Sequence, residues 1–187
     1  RKSTILTETK QTTDCPICYS FPKPSITENT ELKLKFSERK CPVCGKNCGK
    51  PTLLDLFSGA GGAARGYQKA GFCVLGVDIK PQPHYAGCRF VQADALTYPL
   101  DGFDTYHASP PCQEYSVSFN TMSKFSEHRY PKVLNETRLI LLRTGKPYVV
   151  ENVIGAKFKP GQNEGLQAHY LCGTMFEKEY HRHRLFE

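Results

Sequence analysis

From Pro51 onward the chain repeats one pattern, a short apolar run followed by a glycine-rich turn or a helix-length stretch. The runs are "TLLDLF" (52–57), "FCVLGVD" (72–78), "RFVQ" (89–92), "FDTYHA" (103–108) and "PYVVENV" (147–153), each of strand length. "GGAARGYQKA" (61–70) and "PKVLNETRLILLRT" (131–144) have the length and composition of helices. Strands separated by helix-length segments pair in parallel through right-handed crossovers. The expected fold class is therefore α/β, a doubly wound, mostly parallel sheet whose ligands bind at the carboxyl ends of the strands. A chain of 187 residues, 39% hydrophobic, is long enough for one such core and a small satellite.

The satellite is expected in front. Residues 1–50 are polar and lack a long apolar period, so a boundary falls near Lys50, with a catalytic-sized unit at 51–187. Ten of the 25 Lys and Arg lie in these first 50 residues against five Asp and Glu, so most of the +7 net charge sits there. Such a basic segment suits a nucleic-acid backbone or a solvated tail. "CPIC" (Cys15, Cys18) and "CPVCG" (Cys41, Cys44) form two Cys-x-x-Cys knuckles, each able to supply half of a tetrahedral zinc site. A segment with so few large apolar groups needs such a metal to fold. Cys48 is an alternative to Cys44, but two matched knuckles make the simpler set and leave Cys48 a bystander. Nine cysteines, an odd total clustered in this way, point to metal ligation in a reducing compartment rather than to disulfides. No apolar run reaches the roughly 20 residues that span a bilayer, and "RKSTILTETK" lacks the apolar core of a signal peptide. The sequence thus reads as soluble and intracellular.

Behind the first strand, "DLFSGAGGAARG" runs through glycines into a helix, which suits a nucleotide-like ligand lying against backbone at the helix N-terminus. Its glycine spacing is neither that of a phosphate-cradling loop nor that of a dinucleotide fingerprint. Asp78 closes the next strand, where a carboxylate can accept from both hydroxyls of a ribose. Asp94 follows a third strand, placed to meet an adenine amino group. Together they outline an adenosine-bearing cofactor.

"SPPCQEYS" then places Cys112 behind two prolines, followed by a stretch, 114–130, without a clean period. Long irregular loops in compact domains are usually functional lids. "DLFSGAGG", "SPPCQEYS", "VENV" and "RHR", in this order, resemble the cytosine carbon-5 DNA methyltransferases, with "HASPPCQ" and "LCGTMF" most similar to short phage-borne members. The resemblance runs from about Thr52 to Glu187. It implies a Rossmann-like methyltransferase fold, S-adenosylmethionine as cofactor and DNA as partner, and, for a phage-borne protein, a role in DNA methylation or restriction-modification in a bacterial cytoplasm. The cofactor-binding positions it implies are Asp55, Phe57, Ser58, Gly59, Ala60, Gly61, Gly62, Asp78, Ile79, Asp94, Ala95 and Pro110.

The implied chemistry answers why a thiol stands at Cys112. Cytosine carbon 5 is a poor nucleophile until a thiolate adds to carbon 6 and makes the ring an enamine. Cys112 is thus the implied nucleophile, and Glu151 of "VENV" holds the N3 and amino edge of the base. Asn152 holds the backbone near the nucleophile, and Arg184 approaches the O2 side of the base. Arg182 matches the first arginine of the motif, although Tyr180 stands where the family has Gln. His181 and His183 are read as neighbours on that strand. The target base must be flipped from the duplex, and Gln113 and Ser116 at the head of the loop are expected to fill the gap and to bind phosphate.

Other readings are a tRNA cytosine-5 methyltransferase, which shares the chemistry, and a silent zinc-containing nucleic-acid-binding protein or partner subunit. Amino-methylating enzymes also carry proline pairs, but transfer to an exocyclic amine needs no thiol. Family members continue past "RHR" with a recognition region and a last helix. The expectation is that this chain is a fragment, a split enzyme completed by a second polypeptide, or a degenerate copy.

Overall fold

The computed structural model describes residues 40–112, 133–154, 156, 168–176 and 181–187. The chain divides into two compact units, one ending at His107 and one beginning at Ala108. The described residues contain seven strands: β1 Thr52–Leu56, β2 Cys73–Asp78, β3 Arg89–Gln92, β4 Thr105–Ala108, β5 Tyr148–Asn152, β6 His169–Cys172 and β7 His183–Phe186. They contain two α-helices, α1 Gly62–Lys69 and α2 Leu134–Leu142, and one 3₁₀ turn at Gly173–Phe176.

In the first unit the sheet order is β3-β2-β1-β4, with β1, β2 and β3 paired in parallel. Thr52 pairs with Cys73 and Leu75 with Arg89. All five residues of β1 are buried, as expected of a strand covered on both faces. The backbone N–H and hydroxyl of Thr52 both donate to Asp104 Oδ2, each at 2.8 Å, which fixes the chain just ahead of β4. Helix α1 turns Ala64 and Gln68, four residues apart, inward. The core around it is Leu53, Ala64, Val74, Tyr85 and Phe90, with Tyr67 and Phe72 packed alongside. The α/β class and the parallel pairing match the pattern of apolar runs.

The second unit is built differently. Its order is β5-β7-β6, and both pairings are antiparallel, Glu151 facing Phe186 and Tyr170 facing Leu185. Helix α2 buries Leu134, Thr137, Arg138 and Leu141, the spacing of one helical face. The Arg138 Nε donates to both oxygens of Glu187 at 2.6 Å, and the Tyr148 hydroxyl donates to Oε1 at 2.8 Å. Arg138 and Glu187 side chains are 1% and 4% exposed, so this is a buried pair.

Apart from β3, which matches "RFVQ", the observed elements are shorter than the apolar runs suggested. Strand β1 ends at Leu56 because Phe57 adopts φ 56°, the left-handed region, which no strand tolerates. Strand β4 starts at Thr105, and Asp104 just before it bonds Thr52 through both its N–H and its carboxylate. Helix α2 occupies 134–142 and ends short of the expected 144; residues 131 and 132 lie outside the described residues. Its end is marked by Thr144, whose hydroxyl donates to the Leu141 carbonyl at 2.6 Å, and by left-handed Gly145. Strand β6 has no counterpart among the expected strands. The expected front module lies mostly outside the described residues, which begin at Lys40, and so does the expected loop 114–130 with Gln113 and Ser116. Among the described residues no helix is long and apolar enough to cross a membrane.

Candidate functional site

In the first unit, the glycine-rich turn after β1 is held open by a carboxylate. The N–H of Gly59 donates to Asp78 Oδ2 and that of Lys80 to Asp78 Oδ1, both at 2.9 Å. Each carboxylate oxygen has a second lone pair to offer a ligand. Ser58 N–H bonds the Val77 carbonyl at 3.1 Å, and Gly61 N–H bonds that of Ser58 at 3.0 Å, so the turn follows the ends of both strands. Gly61, with φ 87°, caps α1 in the left-handed conformation, and a Cβ there would lie 2.7 Å from the Tyr85 ring. Phe57 pays for its left-handed backbone without being glycine, at a cost of roughly 1–3 kcal/mol, the kind of strain that gathers at ligand sites.

Beneath this turn sits Asp55, 1% exposed, with neither carboxylate oxygen bonded, and the buried hydroxyl of Ser58 likewise has no partner. Burial, and then the charge of Asp78, push the Asp55 carboxyl up to about 7. A buried acceptor left unsatisfied costs on the order of 1–3 kcal/mol, so a ligand bringing donors or positive charge to this position would recover that energy. Ile79 is 68% exposed directly after Asp78, an apolar surface beside a polar anchor. Asp94 is exposed and turns its Oδ1 onto the Leu96 N–H at 3.0 Å, while Ala95 is buried. Asp55, Phe57, Ser58, Gly59, Ala60, Gly61, Gly62, Asp78 and Ile79 thus lie on the ends of β1 and β2 and the turn joining β1 to α1. Asp94 and Ala95 follow the end of β3.

In the second unit, Glu151 and Arg184 meet across the β5–β7 ladder, Arg184 Nε lying 2.7 Å from Glu151 Oε1. Both are about a quarter exposed, so the pair is reachable from solvent. Asn152 is 1% exposed, and its Nδ2 donates to the Pro110 carbonyl at 3.1 Å while its Oδ1 accepts from Val153 N–H at 2.9 Å. That bond fixes the backbone two residues before Cys112, whose thiol is half-buried. The register that places Glu151 opposite Phe186 places Asn152 opposite Leu185, so this ladder presents two of the named residues, with Arg184 next to Leu185 on β7. Arg182 is exposed, and its carbonyl accepts from Gly173 N–H at 3.1 Å.

Two clusters were not visible in residue spacing. Cys41 and Cys44 gather with Cys48 and Cys73, all four sulfurs within 4.8 Å of one another, while Cys15 and Cys18 lie outside the described residues. Cys172, His181 and His183 form a second group within the same distance, with Thr174 Oγ1 3.2 Å from the Cys172 sulfur. Hydrogen bonds from Thr174, ahead of His181, lower the Cys172 thiol to about 6.

The arrangement is that of an α/β protein with a glycine turn, a strand-end carboxylate and a buried acidic group at one site, and a thiol-bearing loop with a Glu–Arg pair at another. No protein-family model matches the chain. Among curated proteins it is similar to the type II methyltransferase M1.HphI of Haemophilus parahaemolyticus, 30% identical over 124 residues, which cover 57% of this chain and 33% of that protein. The chain thus spans about a third of the length of the curated relative it matches. Among solved structures it is similar to the Burkholderia thailandensis 1,6-didemethyltoxoflavin-N1-methyltransferase, with a TM-score of 0.45 and 12% identity over 84% of this chain and 75% of that one. A TehB-like SAM-dependent methyltransferase of Corynebacterium glutamicum gives 0.35 and 18%, covering 68% and 62%.

Proposed function

We propose that this chain is an S-adenosylmethionine-dependent methyltransferase acting on carbon 5 of cytosine in DNA. The observation that carries the reading is the β5–β7 ladder, which pairs Glu151 with Arg184 and uses Asn152 to hold Pro110 on the loop of Cys112. The similarity to a type II methyltransferase supports the general chemistry.

In this reading Cys112 adds as thiolate to carbon 6 of a flipped-out cytosine. Glu151 takes the N3 and amino edge of the base and supports protonation at N3 as carbon 6 is attacked. Arg184 keeps Glu151 oriented through one N–H, and its guanidinium has further donors for the O2 side of the base. Arg182 extends the same basic strand. Gln113 fills the gap left in the stack and Ser116 binds phosphate, and elimination of the thiol after loss of the carbon-5 proton returns the free enzyme.

The cofactor is assigned to the first unit. The unpartnered oxygens of Asp55 and Ser58 fit a ligand with an ammonium group, Asp78 fits a ribose and Ile79 fits the face of an adenine. Bound there, S-adenosylmethionine supplies an electrophilic methyl group. A structural zinc ion is held by a cysteine set that includes Cys41 and Cys44, and DNA, with a recognition region on the same or another polypeptide, is the partner.

The test is transfer of labelled methyl from S-adenosylmethionine to DNA and to tRNA by the wild type and Cys112→Ala. Label in DNA that Cys112→Ala abolishes supports the proposal. Label confined to tRNA assigns the same chemistry to the other polymer, and label retained in Cys112→Ala rules out the thiol route.

A further inference from the structure

We infer that Cys41, Cys44, Cys48 and Cys73 form one tetrahedral site for a thiophilic divalent cation, zinc, that ties the 41–48 turn to the first residue of strand β2. The inference is independent of the methyl-transfer reading. A zinc ion with Zn–S bonds of about 2.3 Å requires sulfurs about 3.8 Å apart, and the four sulfurs here lie within 4.8 Å of one another. Closing the set thus needs shifts of an ångström or less.

The backbone around the sulfurs is organised to hold them there. The Gly45 N–H bonds the Cys41 carbonyl at 2.8 Å, and the Cys41 and Cys48 N–H groups both bond the Lys46 carbonyl, at 3.1 and 2.9 Å. Gly45 and Gly49, each directly after a cysteine, have φ of 71° and 62°, so the chain reverses after Cys44 and again after Cys48. Cys73 enters from the sheet, its N–H fixed on the Pro51 carbonyl at 2.8 Å and its residue fully buried. Cys41 and Cys48 are buried as well, and Cys44 is the half-exposed member, giving the closed donor set of a structural site. None of the four is tied up in a disulfide. Four soft ligands in tetrahedral reach select zinc over hard cations such as magnesium or calcium.

This ligand set differs from the knuckle pairing that the sequence suggests, since Cys48 and Cys73 take the places of Cys15 and Cys18. Its consequence is also different. The metal would anchor the strand whose far end carries Asp78, and so brace the glycine turn rather than merely fold a front module.

The experiment measures zinc per chain by plasma mass spectrometry on the full chain, purified without added metal, in the wild type, Cys48→Ser, Cys73→Ser and Cys15→Ser/Cys18→Ser. Comparison is between variants, because Cys172, His181 and His183 can bind a metal of their own. The expected result is loss of about one equivalent in Cys48→Ser and in Cys73→Ser, with no loss in the Cys15/Cys18 double variant. Circular dichroism shows which variants fold, and Cys48→Ser decides the question should the core substitution at Cys73 unfold the chain. Zinc retained by Cys48→Ser and lost from the Cys15/Cys18 variant would overturn the inference, as would a wild type that binds no metal.

Discussion

Replacing Asp55 with Asn should change how stability depends on pH, and the size of the change follows from the burial of this carboxyl. Its folded value of about 7 stands above the ordinary 3.8, so the folded chain holds the proton more tightly than the unfolded chain does. The corresponding stability is fully present below about pH 3.8 and is lost as pH rises through about 7. A gap of about three units is worth about 4 kcal/mol at about 1.4 kcal/mol per unit. His107 works in the opposite sense. Burial depresses its imidazole to about 4, so its contribution is present above 6.5 and lost as pH falls towards 4. In the wild type the two slopes nearly cancel, whereas in the difference between wild type and Asp55→Asn only the Asp55 slope survives. Urea unfolding at half-unit steps from pH 4 to 8 should therefore show the wild type losing about 4 kcal/mol relative to the variant, levelling off above pH 7. A difference independent of pH would refute the buried, unpartnered carboxyl. The same group predicts that S-adenosylmethionine binds more tightly as pH rises from 5 to 7, provided that its ammonium meets the ionised Asp55.

Gly76→Ala should destabilise the chain by about 1–3 kcal/mol through overpacking, because the new Cβ would lie 2.3 Å from the Tyr85 hydroxyl and ring. Tyr85→Leu in the same background should recover most of the loss in thermal unfolding, and a loss left intact would mean the clash is elsewhere. Arg138→Met should cost about 3–5 kcal/mol, because it strands the buried Glu187 carboxylate, and a cost under 1 kcal/mol in urea would show that the pair is not desolvated. Asn152→Ala should lower methyl transfer more than cofactor affinity, since Asn152 positions the Pro110 carbonyl; equal effects on both would assign it a purely structural role.

The parallel half of the fold was legible in the sequence because buried strands write themselves as short apolar runs, as in "TLLDLF" and "FCVLGVD". Strand β6, "HYLC", was not, since four residues without alternation leave no period to read, and its pairing with "HRLF" depends on tertiary register. Asp78 was read from its strand-end position and the glycine turn from its motif, while Asp55 came only with the family resemblance. The left-handed Phe57 was not, because nothing in a non-glycine residue announces that conformation. Cys73 shows the same limit. It reads as one more apolar residue of β2, and only the parallel pairing of Thr52 with Cys73 places it near the cysteines that precede β1. Residue spacing finds ligands that are close in sequence and misses one delivered by the sheet.

Addition of Cys112 to a cytosine ring is trapped by DNA carrying 5-fluorocytosine. With fluorine at carbon 5 the final elimination is blocked, so even a single slow turnover leaves the chain bound. Incubation with S-adenosylmethionine and separation on a denaturing gel should show a protein–DNA adduct for the wild type and none for Cys112→Ala. An adduct that persists in Cys112→Ala, or no adduct from folded, metal-loaded wild type that transfers methyl to the same DNA, would contradict that addition.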